Sequence, residues 1–185
     1  MELKGTHNSG TGERGKGFLS FLVSPFAKCQ RKTIKEQYDA GCRVFDLRVK
    51  FVDGKWRLAH GMWISKTSLL DVLDLLEGLD GCYVILTYED RLDEGWEEWF
   101  ICRTKVWKAL FPNIKWLEVN VKKGQNGKWT KLVNAEHKLK TVQGFIPLDF
   151  SSWHTLLPIP WLWWKLGRKK EVKVKEGECI LVDFL

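Results

Sequence analysis

The sequence predicts a single-domain α/β fold, a compact TIM-type (β/α) barrel with trimmed or missing helices. Three observations carry this expectation. Strand-like and helix-like segments alternate along the chain, the rhythm that builds a parallel sheet covered by helices. Polar and charged residues gather at the ends of several strand candidates, where such barrels keep their sites. The chain has 185 residues, enough for one packed core but short of the about 250 that a complete eightfold barrel takes.

Residues 1–7 read as a short first strand ending in a Gly-Thr-His-Asn turn. Residues 10–17 are glycine-rich and charged, which reads as an exposed loop. The apolar stretch 17–26 follows as a loop or short helix. Thr33 and Glu36 stand in capping-box order and open a helix that stops at Gly41. Residues 42–49 are rich in strand formers, Asp53-Gly54 signals a tight hairpin turn, and 56–60 returns as the partner strand. That hairpin puts Asp46, Arg48 and His60 on neighbouring strands, with Asp46 and Arg48 on one face by period-two alternation. Ser68 and Asp71 cap a second helix whose Leu69, Leu70, Leu73 and Leu76 recur at helical spacing. Residues 83–89 form a continuous apolar strand. A third helix, capped by Asp93 and running to Phe111, should bury Trp96, Trp99, Phe100, Val106 and Leu110. Residues 114–121, 144–149 and 180–185 complete the strand candidates.

Hydrophobic content of 44% with 29% charged residues is globular composition, which argues against disorder and a membrane bundle. A formal charge of +7 favours an anionic partner. Nucleic acid is not expected as that partner: no zinc-ligand spacing, RNA-binding aromatic signature or basic helix running into heptads accompanies the charge. Eleven tryptophans, several beside Lys or Arg, suit either a core margin or a lipid–water boundary. Five cysteines (Cys29, Cys42, Cys82, Cys102, Cys179) are scattered without CxxC spacing and read as buried thiols. The start lacks an apolar leader, and no run reaches the about 18 apolar residues of a spanning helix. A cytoplasmic or peripheral membrane protein, monomeric, is the expectation.

Gly5-Thr6-His7-Asn8-Ser9-Gly10, then Asp46-Leu47-Arg48, then His60-Gly61 form an ordered set, closed by Ile180-Leu181-Val182-Asp183-Phe184. This set resembles the phosphatidylinositol-specific phospholipases C of the X-domain type, closest to the bacterial metal-independent members. The resemblance covers residues 5–61, 83–89 and the final strand. It implies a barrel that cleaves a phosphodiester by attack of the inositol 2-hydroxyl. It implies that His7 is the base and His60 the acid, with Arg48 holding the phosphate, Asp183 paired with His7 and Asp46 with the His60 side. Such chemistry needs a base, an acid and cationic donors at the non-bridging oxygens, and two imidazoles fill the first two roles near neutral pH.

Two positions depart from the bacterial pattern. Asn8 stands where those members usually carry Asp, and calcium-dependent eukaryotic members carry a liganding Asn. Glu89 lies where the calcium enzymes place a carboxylate. Arg48 occupies the position of another acidic ligand, and its charge would repel a divalent ion. No metal or other cofactor is therefore expected, calcium being the alternative, and Asn8 and Glu89 are assigned as polar contacts to the phosphate region, Arg48 or the inositol.

A phospholipid substrate calls for contact with an anionic membrane surface. Trp161, Trp163, Trp164, Lys165, Arg168, Lys169 and Lys170 form the leading candidate, aromatic residues backed by a basic cluster. The same residues would equally cover the core where barrel helices are missing. Residues 17–26 offer a second apolar rim near His7. The rival readings are a metal-dependent phosphodiesterase of glycerophosphodiesterase or sphingomyelinase-D-like type, whose acidic pair Asp46-x-Arg48 breaks, and a headgroup-binding module without turnover.

Overall fold

The computed structural model describes residues 3–90, 96–123, 128–133, 140–143 and 178–182. Their strands are β1 (Leu3–Thr6), β2 (Val44–Val52), β3 (Lys55–His60), β4 (Trp63–Ser68), β5 (Tyr83–Tyr88), β6 (Lys115–Lys123), β7 (Lys128–Val133), β8 (Lys140–Gln143) and β9 (Glu178–Val182). They form one curled sheet in the order β7-β6-β5-β2-β1-β9-β8. All neighbours from β6 to β8 run parallel, and β7 is an antiparallel edge. This is the expected α/β architecture, a trimmed TIM-type barrel. The helices are α1 (Gly17–Ala27), α2 (Ile34–Asp39), α3 (Leu69–Glu77) and α4 (Trp96–Leu110). No helix among the described residues is long and apolar enough to cross a membrane.

Strand β2 organises the sheet because it outruns β1. Its first residues pair with β1, Gly5 opposite Val44 and Thr6 opposite Phe45. Where β1 ends, β3 takes over as antiparallel partner, from Val49 opposite Leu58 to Val52 opposite Lys55. The hairpin closes at Asp53 and Gly54, with φ of 51° and 70°, the left-handed pair that a two-residue type I′ turn requires and that Asp-Gly supplies at low cost. His60 is thereby delivered to the end of β3.

The two faces of β2 divide the interior. Phe45, Leu47 and Val49 pack with Leu73 and Leu76 of α3 and Phe100 and Trp107 of α4. On the other face Val44, Ile85, Leu117 and Leu181 close one end of the curl, and Asp46 and Arg48 follow at alternate positions above them. Both expected capping boxes are formed, Thr33 with Glu36 and Ser68 with Asp71. Trp56 stacks against Trp99 and meets Trp107 edge-on, with ring centroids 5.0 and 5.2 Å apart. Trp63, Trp107 and Trp116 are also buried, so much of the tryptophan load serves the core. Four of the five cysteines are buried, and Cys102 is exposed.

Several expectations need correction. Ser9–Gly12 is a buried 3-10 turn rather than exposed loop, because Gly12 lies against the Lys32 carbonyl, 1.7 Å from where a Cβ would stand. In α4 the buried face is Phe100, Thr104 and Trp107. Val106 and Leu110 are 48% and 62% exposed, since the helical period that turns Phe100 and Trp107 inward carries them outward. β4, β7 and β8 were not among the expected strands. Residues 144–149, the Asp93 cap, Asp183 and the 161–170 cluster lie outside the described residues.

Candidate active site

The candidate site forms where β1, β3 and β5 end beside the middle of β2. His7 leaves β1 with its backbone N–H on the Val182 carbonyl at 3.0 Å. The Gln30 amide clasps this junction, donating to the His7 carbonyl at 3.0 Å and the Val182 carbonyl at 2.7 Å. Asn8 then adopts left-handed φ and ψ of 47°, a conformation Asn tolerates better than most residues. Its backbone N–H donates to Asp46 Oδ2 at 3.1 Å. The His-Asn turn is thus tied to the carboxylate of the neighbouring strand.

Arg48 lies at the centre. Its Nη1 donates to Glu89 Oε1 at 3.0 Å, Nη2 meets His7 Nε2 at 2.8 Å, and Nε is 3.6 Å from Asp46 Oδ2. A guanidinium only donates, so Nε2 of His7 accepts and is unprotonated in this arrangement. Burial disfavours the Arg48 charge, but Asp46 and then Glu89 outweigh it, and the pKa is held above its ordinary value. Glu89 also accepts the Gly61 N–H at 2.8 Å through Oε2, tying the end of β5 to the β3–β4 turn.

His60 completes the set. Its Nδ1 is 2.6 Å from the Ala27 carbonyl and its Nε2 3.4 Å from the Asn8 amide nitrogen. Burial pulls the His60 pKa down, yet the neighbouring Cys29 and then Glu89 outweigh it against Arg48, and the net shift is upward.

His7, Asn8, Asp46, Arg48, His60 and Glu89 therefore converge, while Asp183 and the 161–170 cluster lie outside the described residues. One pairing differs from expectation. Asp46 does not reach His60; its Oδ2 faces the Asn8 backbone and lies 3.9 Å from His7 Nε2, because β2 presents this side chain toward the end of β1. Sequence reasoning missed Cys29, Gln30 and the Ala27 carbonyl. No motif surrounds them; their only signal is position, at the end of an apolar helix that had to fold back toward the first histidine.

The curl of parallel strands and the polar side chains at their carboxyl ends define a trimmed (β/α) barrel with a polar cluster in the usual place for such folds. In fold the chain is similar to solved structures of phosphatidylinositol-specific phospholipase C from Staphylococcus aureus. With one histidine-to-tyrosine variant of that enzyme the TM-score is 0.56 at 15% identity, over 98% of this chain and 84% of that one. With a form carrying pentafluoro-Phe it is 0.51 at 16% identity, over 96% and 70%. The Listeria monocytogenes enzyme aligns with a TM-score of 0.48 at 17% identity over 77% of this chain. The chain spans 60% of the length of that Listeria enzyme. No protein-family model and no curated protein matches the sequence.

Proposed function

We propose that this chain is a phosphodiesterase that cleaves a phosphatidylinositol-type phospholipid by internal attack. His7 Nε2 takes the proton of the inositol 2-hydroxyl, and that oxygen attacks phosphorus. The bond from phosphorus to the diacylglycerol oxygen breaks as His60 protonates the departing alkoxide. The products are diacylglycerol and a cyclic inositol phosphate. Arg48 contacts the non-bridging oxygens, and Asp183 is assigned to His7 as its carboxylate partner.

The observation that carries this reading is the convergence of two imidazoles around one largely buried arginine, His7 by direct hydrogen bond and His60 by way of Asn8, whose backbone meets the Asp46 carboxylate beside Arg48. Asn8 and Glu89 serve as polar contacts. No metal is needed in this scheme. Arg48 already stands between Asp46 and Glu89, which leaves these carboxylates a poor fit for a divalent ion, and the same arginine breaks the acidic pair of the metal-dependent rivals.

Access to a bilayer is assigned first to α1. Phe18 and Phe21 are 73% and 72% exposed, with Leu19, Leu22 and Phe26 of the same helix exposed as well. Arg14, Lys28 and Lys66 line a cleft of about 390 Å³ beside Phe21. Apolar side chains next to cations suit an anionic lipid surface. Trp161, Trp163, Trp164, Lys165, Arg168, Lys169 and Lys170 are assigned to the same surface.

The test is incubation with phosphatidylinositol vesicles in chelator, following diacylglycerol and cyclic inositol phosphate together. Formation of both, abolished by His7→Ala or His60→Ala, supports the two-histidine mechanism. Turnover only with added calcium would overturn the metal-free reading. Vesicle binding without product would favour a headgroup-binding module.

A further inference from the structure

The cleft beside Phe21 shares no residue with the candidate active site, and two elements build it. One wall is a face of α1, where Gly17, Phe21, Ser24 and Lys28 recur at four- and three-residue steps. The other is the segment leading into that helix, which pairs with β4. Gly15 bridges Ser65, the Lys66 N–H donates to the Arg14 carbonyl at 2.7 Å, and the Lys16 N–H donates to the Ile64 carbonyl at 2.7 Å. Ser20 locks the walls together, its hydroxyl donating to the Ile64 carbonyl at 2.9 Å and accepting the Ile64 N–H at 3.1 Å. The approach needs Gly15, where a Cβ would stand 3.0 Å from both Ser20 Cβ and Trp63 Nε1. The space enclosed is about 390 Å³, enough for a small ligand.

All the charges lining this space are positive. The bridge sets Arg14 opposite Lys66, an arrangement that is destabilising for like charges. Lys28 joins them from the end of α1, its Nζ 5.9 Å from the ring centroid of the buried Trp63. No acidic residue lines the cleft. Glu13, the residue before Arg14, is engaged by the Ile34 N–H at 2.9 Å and the Thr67 hydroxyl at 3.4 Å, and Asp53 is taken by Lys16. Three cations are thus held close together without a carboxylate among them.

We infer that this cleft binds the phosphate monoester headgroup of a membrane lipid other than the one cleaved, which deepens the membrane contact assigned to α1 above. A phosphate monoester carries a charge of about −1.5 to −2 near pH 7 and three acceptor oxygens, a better match to three cations than the single charge of a phosphodiester. The planar fork of Arg14 suits two of those oxygens, and a lysine ammonium suits the third. Phe21 points to a lipid as the source. It lines the cleft and also stacks on Phe18 at 6.4 Å along the exposed side of α1. A headgroup seated among the cations therefore leaves its acyl chains beside exposed rings, which a soluble phosphate would leave in water.

The experiment is sedimentation of the full chain with phosphatidylcholine vesicles containing either phosphatidic acid or phosphatidylglycerol, matched in zeta potential. Wild type should bind the phosphatidic acid vesicles several-fold more tightly. Arg14→Gln/Lys66→Gln and, separately, Lys28→Gln should bring the ratio of the two affinities close to unity. Lys55→Gln/Lys105→Gln removes as much charge as the double cleft variant from exposed positions outside the cleft; it should weaken binding to both vesicles and leave the ratio unchanged. Equal wild-type affinity for the two vesicles would overturn the inference, as would a ratio preserved in both cleft variants or lost in the control. If Phe18→Ser/Phe21→Ser still weakens binding in that case, the membrane contact of α1 stands and only the site falls. Glycerol 3-phosphate at the concentration of the vesicle phosphatidic acid should leave binding unchanged; displacement by it would assign the cleft to a soluble phosphomonoester and overturn the lipid source. Binding is read without turnover, so the selectivity sustains the inference even in a protein that cleaves nothing.

Discussion

Arg48 donates to Nε2 of His7 across 2.8 Å, so in the resting structure the lone pair expected to act as base is turned toward a cation. A phosphate arriving at the guanidinium competes for the same donor and frees the imidazole. Substrate binding and base activation thus become one event. Arg48→Ala should lower kcat by about 10²- to 10³-fold, the range for removing one preorganised donor. Arg48→Lys should recover little of this, because an ammonium carries the charge without the planar fork that reaches His7, Glu89 and phosphate together. Steady-state kinetics on vesicles would check both.

Glu89, at the end of β5, holds two neighbours at once, Arg48 of β2 through one oxygen and the Gly61 N–H of the β3–β4 turn through the other. Glu89→Ala strands a largely buried guanidinium and a backbone donor at once, and we expect a loss of about 3 kcal/mol in chemical denaturation. Glu89→Gln keeps an acceptor oxygen for one of these donors and turns an NH2 toward the other, so it should cost less than Ala but recover only part of the loss.

The raised His60 pKa has a definite sign in stability. A ring that binds its proton more tightly folded than unfolded contributes stability fully below the ordinary imidazole pKa of about 6.5, and loses it as pH rises through the native value. Wild type should therefore lose stability relative to His60→Gln on going from mildly acidic to alkaline pH. Unfolding midpoints measured across that window would show the two profiles converging.

Phe18 and Phe21 stack at 6.4 Å on the exposed face of α1. Replacing both with Ser should leave the thermal midpoint unchanged within a degree or so, since neither is in the core. Vesicle affinity should fall by about tenfold or more per ring, from the transfer free energy of about 1.5–3 kcal/mol for burying such a side chain. Sedimentation with anionic vesicles would measure it.

Much of the frame was legible because local chemistry left little choice. Asp53-Gly54 admits the left-handed pair that the hairpin needs, Thr33 and Ser68 carry their capping partners three residues on, and alternation put Asp46 and Arg48 on one face. What sequence did not reveal depends on distant contacts. Gly10 is buried because Leu58 covers it, and Gly12 because the Lys32 carbonyl approaches it; composition around them reads as loop. Cys29 meets Asn8 only once α1 has turned back over the end of β1. The partner of Asp46 is hidden for the same reason: strand alternation chooses a face but not which of two nearby histidines the carboxylate meets.

One edge of β2 is shared end to end by β1 and then β3, which makes a single strand the common ruler for both histidines. Residues gained or lost at the Asp53–Gly54 tip leave that measure alone, because the ladder below fixes where His60 stops. A single residue gained or lost between Val44 and Val49 would exchange inside for outside, throwing Arg48 toward the helices and shifting His7 against His60. Chain length in relatives should accordingly drift at the hairpin tip and stay frozen along this short stretch of strand.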